Sequence, residues 1–142
     1  MSSKKDKFYL KLALNLAKQH IGLTSENPSV GCVIVKNNKI ISLSKTSING
    51  RPHAEANAIR LANKNNLKGS TMYVTLEPCQ MCAGALYWAR ISNLYFGASD
   101  PKRGFQVLGT VPHPKTKVSA GILKHECKEL LDKFFISRRN LN

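Results

Sequence analysis

The residues that could bind a metal ion fall at two predicted strand-to-helix turns, and this spacing is the strongest constraint on the fold. Cys79 and Cys82 open the helical pattern CQMCAGALYWAR, directly after the apolar run TMYVTL and the step Glu77-Pro78. His53 lies 26 residues before Cys79 and opens a second helical pattern, HAEANAIRLANK. For these side chains to bind one ion, both helices must begin at the same point. We therefore expect parallel helices that follow adjacent strands of an α/β fold.

The rest of the chain alternates between helix-like and strand-like segments. Residues 6–20 place apolar side chains at helical spacing, and SVGCVIV and KIISLS predict two antiparallel strands that turn at Asn37 and Asn38. ISNLYFGA and KVSAGI predict a fourth and a fifth strand, with a long loop over residues 99–117 between them. This order predicts one domain over residues 1–142, with helices layered on a five-stranded sheet. The last helix carries a predicted apolar stripe of Cys127, Leu130, Leu131, Phe134 and Phe135.

Cys79 and Cys82 are three residues apart, so on a helix they share one face and can bind one ion. With His53 they provide one nitrogen and two sulfur ligands, which leaves the fourth position of tetrahedral zinc open for water, as in a catalytic site. A CxxC pair alone could also be a redox dithiol or half of a structural zinc site. A closed structural site would need a fourth ligand, and the candidates in the sequence are Cys32, His113, His125 and Cys127. Cys32 and Cys127 lie in apolar patterns that favour a packing role.

Glu55 follows His53 by two residues and falls in the same first turn. By itself, an acid at this position often only stabilises a helix dipole. Beside a metal-bound water, one carboxyl group can take a proton and then deliver it to a ring nitrogen, and the amine leaves as ammonia. The motif HAE followed by PCQMC resembles the signature of zinc-dependent nucleobase deaminases.

This resemblance covers most of the chain and implies a three-layer α/β/α fold of the cytidine-deaminase type, with a mixed five-stranded sheet. The C-terminal half, from TLEPCQMCAGAL to LLDKFFISRR, resembles bacterial tRNA adenosine deaminases, which are homodimers that convert the wobble adenosine to inosine. The N-terminal half, from SENPSVGCVIVKNNKII through NGRPHAEANAI, is similar to the deaminase domain of bifunctional riboflavin-pathway enzymes, which act on an aminopyrimidine phosphate. The two halves therefore imply different substrates.

The resemblance also implies a set of substrate contacts. In the tRNA deaminases the loop after the fourth strand lies along flipped-out anticodon nucleotides, and the last helix ends in basic residues. The asparagine of the NP motif and the alanine of HAE are expected at the base. Some of these positions have plainer explanations, since Asp-Pro is a common turn pair and terminal arginines suit any exposed helix end. The implied contacts are Asn27, Ala54, Asp100, Lys102, Arg103, Arg138 and Arg139.

The chain carries 22 Lys and Arg against 8 Asp and Glu, for a formal net charge of +14. A field of this sign attracts polyanions such as nucleic acids without specifying which one. The chain is also rich in asparagine, isoleucine and lysine together, a mixture that codon bias alone can produce without any partner. No run of eighteen apolar residues or signal-peptide core is present, so we expect a cytoplasmic protein that does not enter the membrane.

Three functions follow from these features. The first is a Zn²⁺-dependent deaminase, acting as a homodimer, that converts adenosine to inosine in the anticodon loop of tRNA. The second is a deaminase of a free base or nucleotide, such as the riboflavin-pathway aminopyrimidine phosphate or guanine. The third belongs to another class and is a noncatalytic nucleic-acid-binding module whose zinc is structural.

Overall fold

The computed structural model describes residues 3–63 and 65–139, which form a mixed β-sheet flanked by helices. None of the helices in these two ranges is long and apolar enough to cross a membrane. A short 3-10 helix, Ile48–Gly50, precedes the second α-helix. The elements are α1 (Lys4–Lys18), β1 (Gly31–Lys36), β2 (Lys39–Lys45), α2 (Ala54–Ala62), β3 (Thr71–Leu76), α3 (Gln80–Ala89), β4 (Asn93–Ala98), β5 (Lys117–Ala120) and α4 (Lys124–Arg139).

The sheet has the strand order β2-β1-β3-β4-β5. β1 is antiparallel to both β2 and β3, whereas β3, β4 and β5 run parallel to one another. The β1–β2 hairpin turns at Asn37 and Asn38, whose φ angles are 53° and 61°. Asparagine tolerates this conformation, which a two-residue hairpin turn requires. The predicted antiparallel hairpin and the mixed five-stranded sheet are confirmed.

α1 and α4 cover one face of the sheet. Successive side chains of a strand point to opposite faces, so residues paired in register share a face. Tyr73 of β3 donates a hydrogen bond to Asp6 of α1 and stacks on Tyr95, its partner in β4. Gly97, two residues after Tyr95, leaves no room for a Cβ because Cys127 of α4 packs against it. These contacts place α1 and α4 on the same side.

α2 and α3 lie on the other face and begin at one edge of the sheet. Ser42 and Ser44 of β2 donate hydrogen bonds to carbonyl oxygens of α2, and α3 packs beside α2. The expectation that the strands before these helices are adjacent is wrong, because β1 lies between β2 and β3. Both strands are antiparallel to β1 and therefore run in the same direction. Their C-terminal ends, and the helices that follow, still meet at one edge of the three-layer α/β/α fold.

The last helix departs from its predicted apolar stripe. Cys127 and Leu131 are buried and Leu130 is partly buried against the core, but Phe134 is only half-buried. Phe135 is 41% exposed, and its ring centroid lies 6.0 Å from Nζ of Lys102 in the loop after β4. The two phenylalanines are therefore not core residues: Phe135 faces this loop, and Phe134 lines a cavity formed with the segment between α1 and β1.

α1 packs directly on the backbone of β1 at Gly31. A Cβ at this position would overlap the carbonyl oxygen of Ala13 and lie 2.9 Å from the backbone nitrogen of Ala17. We expect Gly31→Ala to lower the free energy of unfolding by about 3 kcal/mol, because backbone atoms of α1 cannot rotate away. Gly84→Ala is the matched control: a Cβ there meets no atom within 4 Å, and alanine favours a helix by about 0.5–1 kcal/mol. Urea unfolding of the two variants measures the difference, and equal midpoints would contradict this packing.

Candidate metal centre and active site

Three potential metal ligands meet where α2 and α3 begin. His53 is the N-cap residue of α2, Cys79 is the N-cap residue of α3, and Cys82 is the third residue of α3. N-cap positions favour Ser, Thr, Asp or Asn, whose side chains accept a hydrogen bond from the helix. Neither His53 nor Cys79 makes such a bond. Both helices therefore forgo a side-chain cap, and the side chains approach one another instead.

The distances within this group match the requirements of zinc. Nδ1 of His53 lies 3.7 Å from Sγ of Cys79 and 3.5 Å from Sγ of Cys82. Tetrahedral zinc with Zn–S bonds of about 2.3 Å and Zn–N bonds of about 2.0 Å separates such ligand atoms by roughly 3.5 Å. The side chains thus fit a zinc ion without rearrangement. One nitrogen and two sulfur atoms leave one coordination position for water or substrate.

The alternative of a closed four-ligand site gains no support from the described part of the chain, where the ligand atoms within 4.8 Å of one another belong only to His53, Cys79 and Cys82. Cys32 and Cys127 are buried in the core, as their apolar patterns predict. His113 contacts Arg90 and Tyr87, and His125 is an exposed residue of α4.

The two thiols have opposite proton affinities. The Cys82 thiol donates to Cys79 and, against the effect of burial, lowers the pKa of Cys79 to about 4, with a further contribution from His53. The same hydrogen bond, together with burial, raises the pKa of Cys82 well above its ordinary value. The metal-free pair therefore holds one thiolate and one thiol at neutral pH. Zinc binding releases the remaining proton, because the metal binds thiolates.

Glu55 lies in the first turn of α2 with 4% of its surface exposed. Burial, reinforced by the charge of Cys79, raises the pKa of Glu55 from 4.5 to about 7, although its own backbone N–H and His53 act in the opposite direction. A carboxyl group with a pKa near the working pH can accept a proton and return it in successive steps. Such a shifted carboxyl beside a metal centre is typical of an active site.

A pocket opens beside the ligands and contains several of the predicted substrate contacts. Asn27, Asp100 and Arg103 line it together with the metal-site residues His53, Glu55 and Cys79. The side chain of Ala54 is fully buried and does not line it, so only the backbone of Ala54 could reach a ligand. The sequence analysis missed the remaining lining residues, which are Pro28, Val30, Thr46, Leu76 and Glu77.

The other predicted contacts lie in a neighbouring groove between the loop after β4 and the end of α4. Lys102, Arg138 and Arg139 line this groove, which has a volume of about 660 Å³ and also contains Phe135. Asp100 lines both the groove and the pocket. The structure therefore divides the predicted contacts between a pocket beside the ligands and a basic groove that adjoins it at Asp100.

Removal of a single ligand tests the metal centre. We expect Cys82→Ala to lose stoichiometric zinc, because two ligands hold the ion far more weakly than three. Cys127→Ala is the matched control, since both cysteines are buried, at 1% and 3% exposure, and both substitutions leave a cavity of similar size. Elemental analysis of the purified variants measures the zinc content. Full zinc occupancy in Cys82→Ala would remove Cys82 from the site.

Glu55 also couples the stability of the metal-free protein to pH. The pKa of Glu55 is about 7 in the folded chain, against an ordinary value of 4.5. Protonation of its carboxyl therefore stabilises the folded state fully below pH 4.5, and this stabilisation is lost as the pH rises through 7. Relative to Glu55→Gln, which cannot ionise, the metal-free wild type should lose about 3 kcal/mol of unfolding free energy over this range. The charge of Glu55 also contributes to the raised pKa of His53, so the comparison measures the titration of Glu55 together with its effect on His53. Urea unfolding of chelator-treated samples measures it, and parallel pH profiles would contradict the shifted pKa.

Comparisons with known proteins agree with this geometry. Residues 3–98 match the family model described as the cytidine and deoxycytidylate deaminase zinc-binding region. The riboflavin biosynthesis protein RibD of Aquifex aeolicus is 38% identical over 92% of this chain, and the tRNA-specific adenosine deaminase of Haemophilus influenzae is 39% identical over 94%. The crystal structure of a diaminohydroxyphosphoribosylaminopyrimidine deaminase/reductase from Thermotoga maritima superposes with a TM-score of 0.80 at 31% identity, over 92% of this chain and 40% of that one.

These relatives differ in length. The chain spans 38% of the Aquifex RibD protein but 85% of the Haemophilus tRNA-specific adenosine deaminase. The family model includes His53, Glu55 and both clustered cysteines, and the structural similarity extends over all three layers of the fold. The chain therefore belongs to the cytidine and deoxycytidylate deaminase family and is a zinc-dependent deaminase.

Proposed function

We propose that this chain converts adenosine to inosine at the wobble position of tRNA. The observation that carries the proposal is that a basic groove adjoins the pocket beside the zinc ligands, with Asp100 lining both. A nucleobase in the pocket would leave the adjoining strand of RNA in the groove. Base-modifying enzymes bind their target in this way, with the base removed from the stack.

The chemistry in the pocket depends on His53, Cys79, Cys82 and Glu55. The first three would hold zinc, which would supply a water that ionises near neutral pH. Glu55 would accept a proton from the attacking water and deliver it to the ring nitrogen next to the amine-bearing carbon. Its buried carboxyl, with a pKa of about 7, is suited to both steps. In the overall reaction the water oxygen bonds to the amine-bearing carbon, the bond from this carbon to the exocyclic nitrogen breaks, and adenosine and water become inosine and ammonia.

Two residues of the pocket have side chains that neighbouring backbone groups orient. Nδ2 of Asn27 donates to the carbonyl oxygen of Gly50 at 2.9 Å, which leaves its Oδ1 to accept a hydrogen bond from a base. Oδ1 of Asp100 accepts from the backbone N–H groups of Lys102 and Arg103, both at 3.0 Å. This turn places the Arg103 side chain at the pocket, where it can contact the phosphate or sugar beside the reacting base.

The groove has the composition of a single-stranded RNA site. It combines the cations Lys102, Lys128, Arg138 and Arg139 with the exposed ring of Phe135. Cationic side chains bind phosphates, and an exposed aromatic ring offers a stacking surface for any base. The formal net charge of +14 extends the attraction to the rest of a tRNA.

We include in the proposal that residues 1–142 form one deaminase domain, that the protein is a homodimer and that it is located in the cytoplasm.

A free aminopyrimidine phosphate is the second candidate substrate. It is favoured by the TM-score of 0.80 with the Thermotoga deaminase/reductase and by the NP motif around Asn27. Coverage does not separate the two candidates, because the chain spans 85% of the Haemophilus tRNA-specific adenosine deaminase and 94% of the diaminohydroxyphosphoribosylamino-pyrimidine deaminase of Buchnera aphidicola. A small pyrimidine or guanine would use the pocket but would leave the basic groove without a role.

An inosine assay tests the proposal. The zinc-loaded protein is incubated with a tRNA transcript that carries adenosine at the wobble position, and a transcript with guanosine at this position is the control. We expect inosine only in the first transcript, measured by mass spectrometry after nuclease digestion. Glu55→Gln should retain zinc and lower the rate by about 10²- to 10⁴-fold, because it removes the proton-transfer group.

Parallel reactions with the aminopyrimidine phosphate and guanine separate the candidates. Turnover of a free base without inosine in tRNA would overturn the RNA proposal in favour of the second candidate. Binding of tRNA without turnover of any substrate would indicate the noncatalytic module. RNA turnover should also weaken steeply with salt, because each neutralised phosphate of a single strand contributes about −0.7 to the slope of log K against log salt.

A further inference from the structure

The loop after β4 pairs with the turn that carries Cys79. The backbone N–H of Phe105 donates to the carbonyl oxygen of Pro78 at 3.0 Å, and Gly104 forms an antiparallel bridge with Cys79. Residues 104–106 thus continue the sheet for a short distance alongside residues 77–79. Because proline has no N–H, Pro78 cannot complete this pairing with its own backbone.

The side chain of Glu77 adds two further hydrogen bonds between this turn and the loop. Its Oε1 accepts from the N–H of Asp100 and its Oε2 from the N–H of Gln106, both at 3.0 Å. Its side chain is almost fully buried, at 3% exposure. Among the described residues no Lys, Arg or His forms an ion pair with it. The carboxylate therefore spans both ends of the 100–106 loop, and hydrogen bonds to a charged acceptor are stronger than neutral ones.

Gly104 shows how closely the loop approaches this carboxylate. A Cβ at Gly104 would overlap Oε1 of Glu77 and lie 2.7 Å from the carbonyl oxygen of Asp100. The loop can sit on Glu77 only because residue 104 has no side chain. Of the two loop residues that line the pocket, Asp100 is one anchored end and Arg103 lies between the two ends.

We propose that Glu77 is a positioning residue that holds the 100–106 loop against the metal-binding turn, so that Asp100 and Arg103 contact the substrate at the pocket. This assignment rests on the proposed deamination in that pocket but not on which substrate enters it. Glu77 is not one of the grouped metal ligands, and both of its carboxylate oxygens accept hydrogen bonds from the loop. Its contribution is to substrate binding, through the position of the loop.

The test uses the zinc-loaded protein and its Glu77→Gln variant. Glutamine keeps one acceptor oxygen but turns the other into an N–H₂ donor, which faces a backbone N–H of Asp100 or Gln106. We expect about tenfold faster tryptic cleavage after Lys102 and Arg103, because one charge-assisted hydrogen bond that closes the loop is lost. Mass spectrometry of the fragments measures cleavage at these two bonds. Glu129→Gln, the same change on an exposed surface of α4, is the matched control.

Steady-state kinetics separates a positioning role of Glu77 from a general loss of folded protein. We expect KM for the deaminated substrate to rise about tenfold while kcat stays within a factor of about three, because the loop binds substrate without moving protons. Zinc content should be unchanged. Gly104→Ala, which displaces the loop and leaves Glu77 intact, should show the same pattern and keeps the test valid if Glu77→Gln does not fold.

Several outcomes would overturn the assignment. Unchanged loop cleavage in both variants would show that Glu77 does not hold the loop. Faster cleavage with unchanged KM would show that the position of the loop does not contribute to substrate binding. Loss of zinc with an intact loop would show that Glu77 supports metal binding instead. If the wild type deaminates only the free pyrimidine, the tRNA proposal fails, and the same comparison with that substrate still decides the role of Glu77.

Discussion

The direction of three strands brings the zinc ligands together. β2 and β3 are both antiparallel to β1, so their C-terminal ends lie at the same edge of the sheet, and α2 and α3 begin there side by side. The N-terminal end of a helix carries a partial positive charge, which stabilises thiolates and negatively charged oxygen. Two such ends converge on His53 and Cys79. Every other feature of the site, including Glu55 and the loop after β4, takes its position from this edge.

The same edge contains groups that would destabilise an ordinary fold. The metal ligands His53 and Cys79 occupy two helix N-cap positions without making a capping hydrogen bond. Glu55 and Glu77 are both buried, at 4% and 3% exposure. Their environments differ in a way that separates their roles. Burial next to the thiolate of Cys79 raises the pKa of Glu55, which suits its carboxyl to the proton transfer of the proposed deamination. Both oxygens of Glu77 accept backbone N–H groups, which makes it a structural anchor.

Local spacing was enough to predict much of this arrangement, and long-range pairing was not. The CxxC of Cys79 and Cys82 and the position of His53 before a helix depend on a few neighbouring residues. The insertion of β1 between β2 and β3 depends on pairing among apolar strands that look alike in sequence. Glu77 could not be recognised because its partners lie 23 and 29 residues further along the chain. Periodicity predicted the apolar face of α4, but not that Phe135 would face the loop instead of a strand.

The division between pocket and groove explains how one reaction can serve different substrates. The reacting ring needs only the metal ligands and Glu55, which come from α2 and α3 at the edge of the sheet. The groups around the ring come from other elements: the loop after β4 and the end of α4. Three of the eight acidic residues, Glu55, Glu77 and Asp100, line the pocket, whereas the groove is lined by four cations and two carboxylates, those of Asp100 and Asp132, and is net positive. An uncharged base is therefore favoured inside and phosphates outside, so substrate choice depends on the groove and on the loop that Glu77 joins to the metal-binding turn.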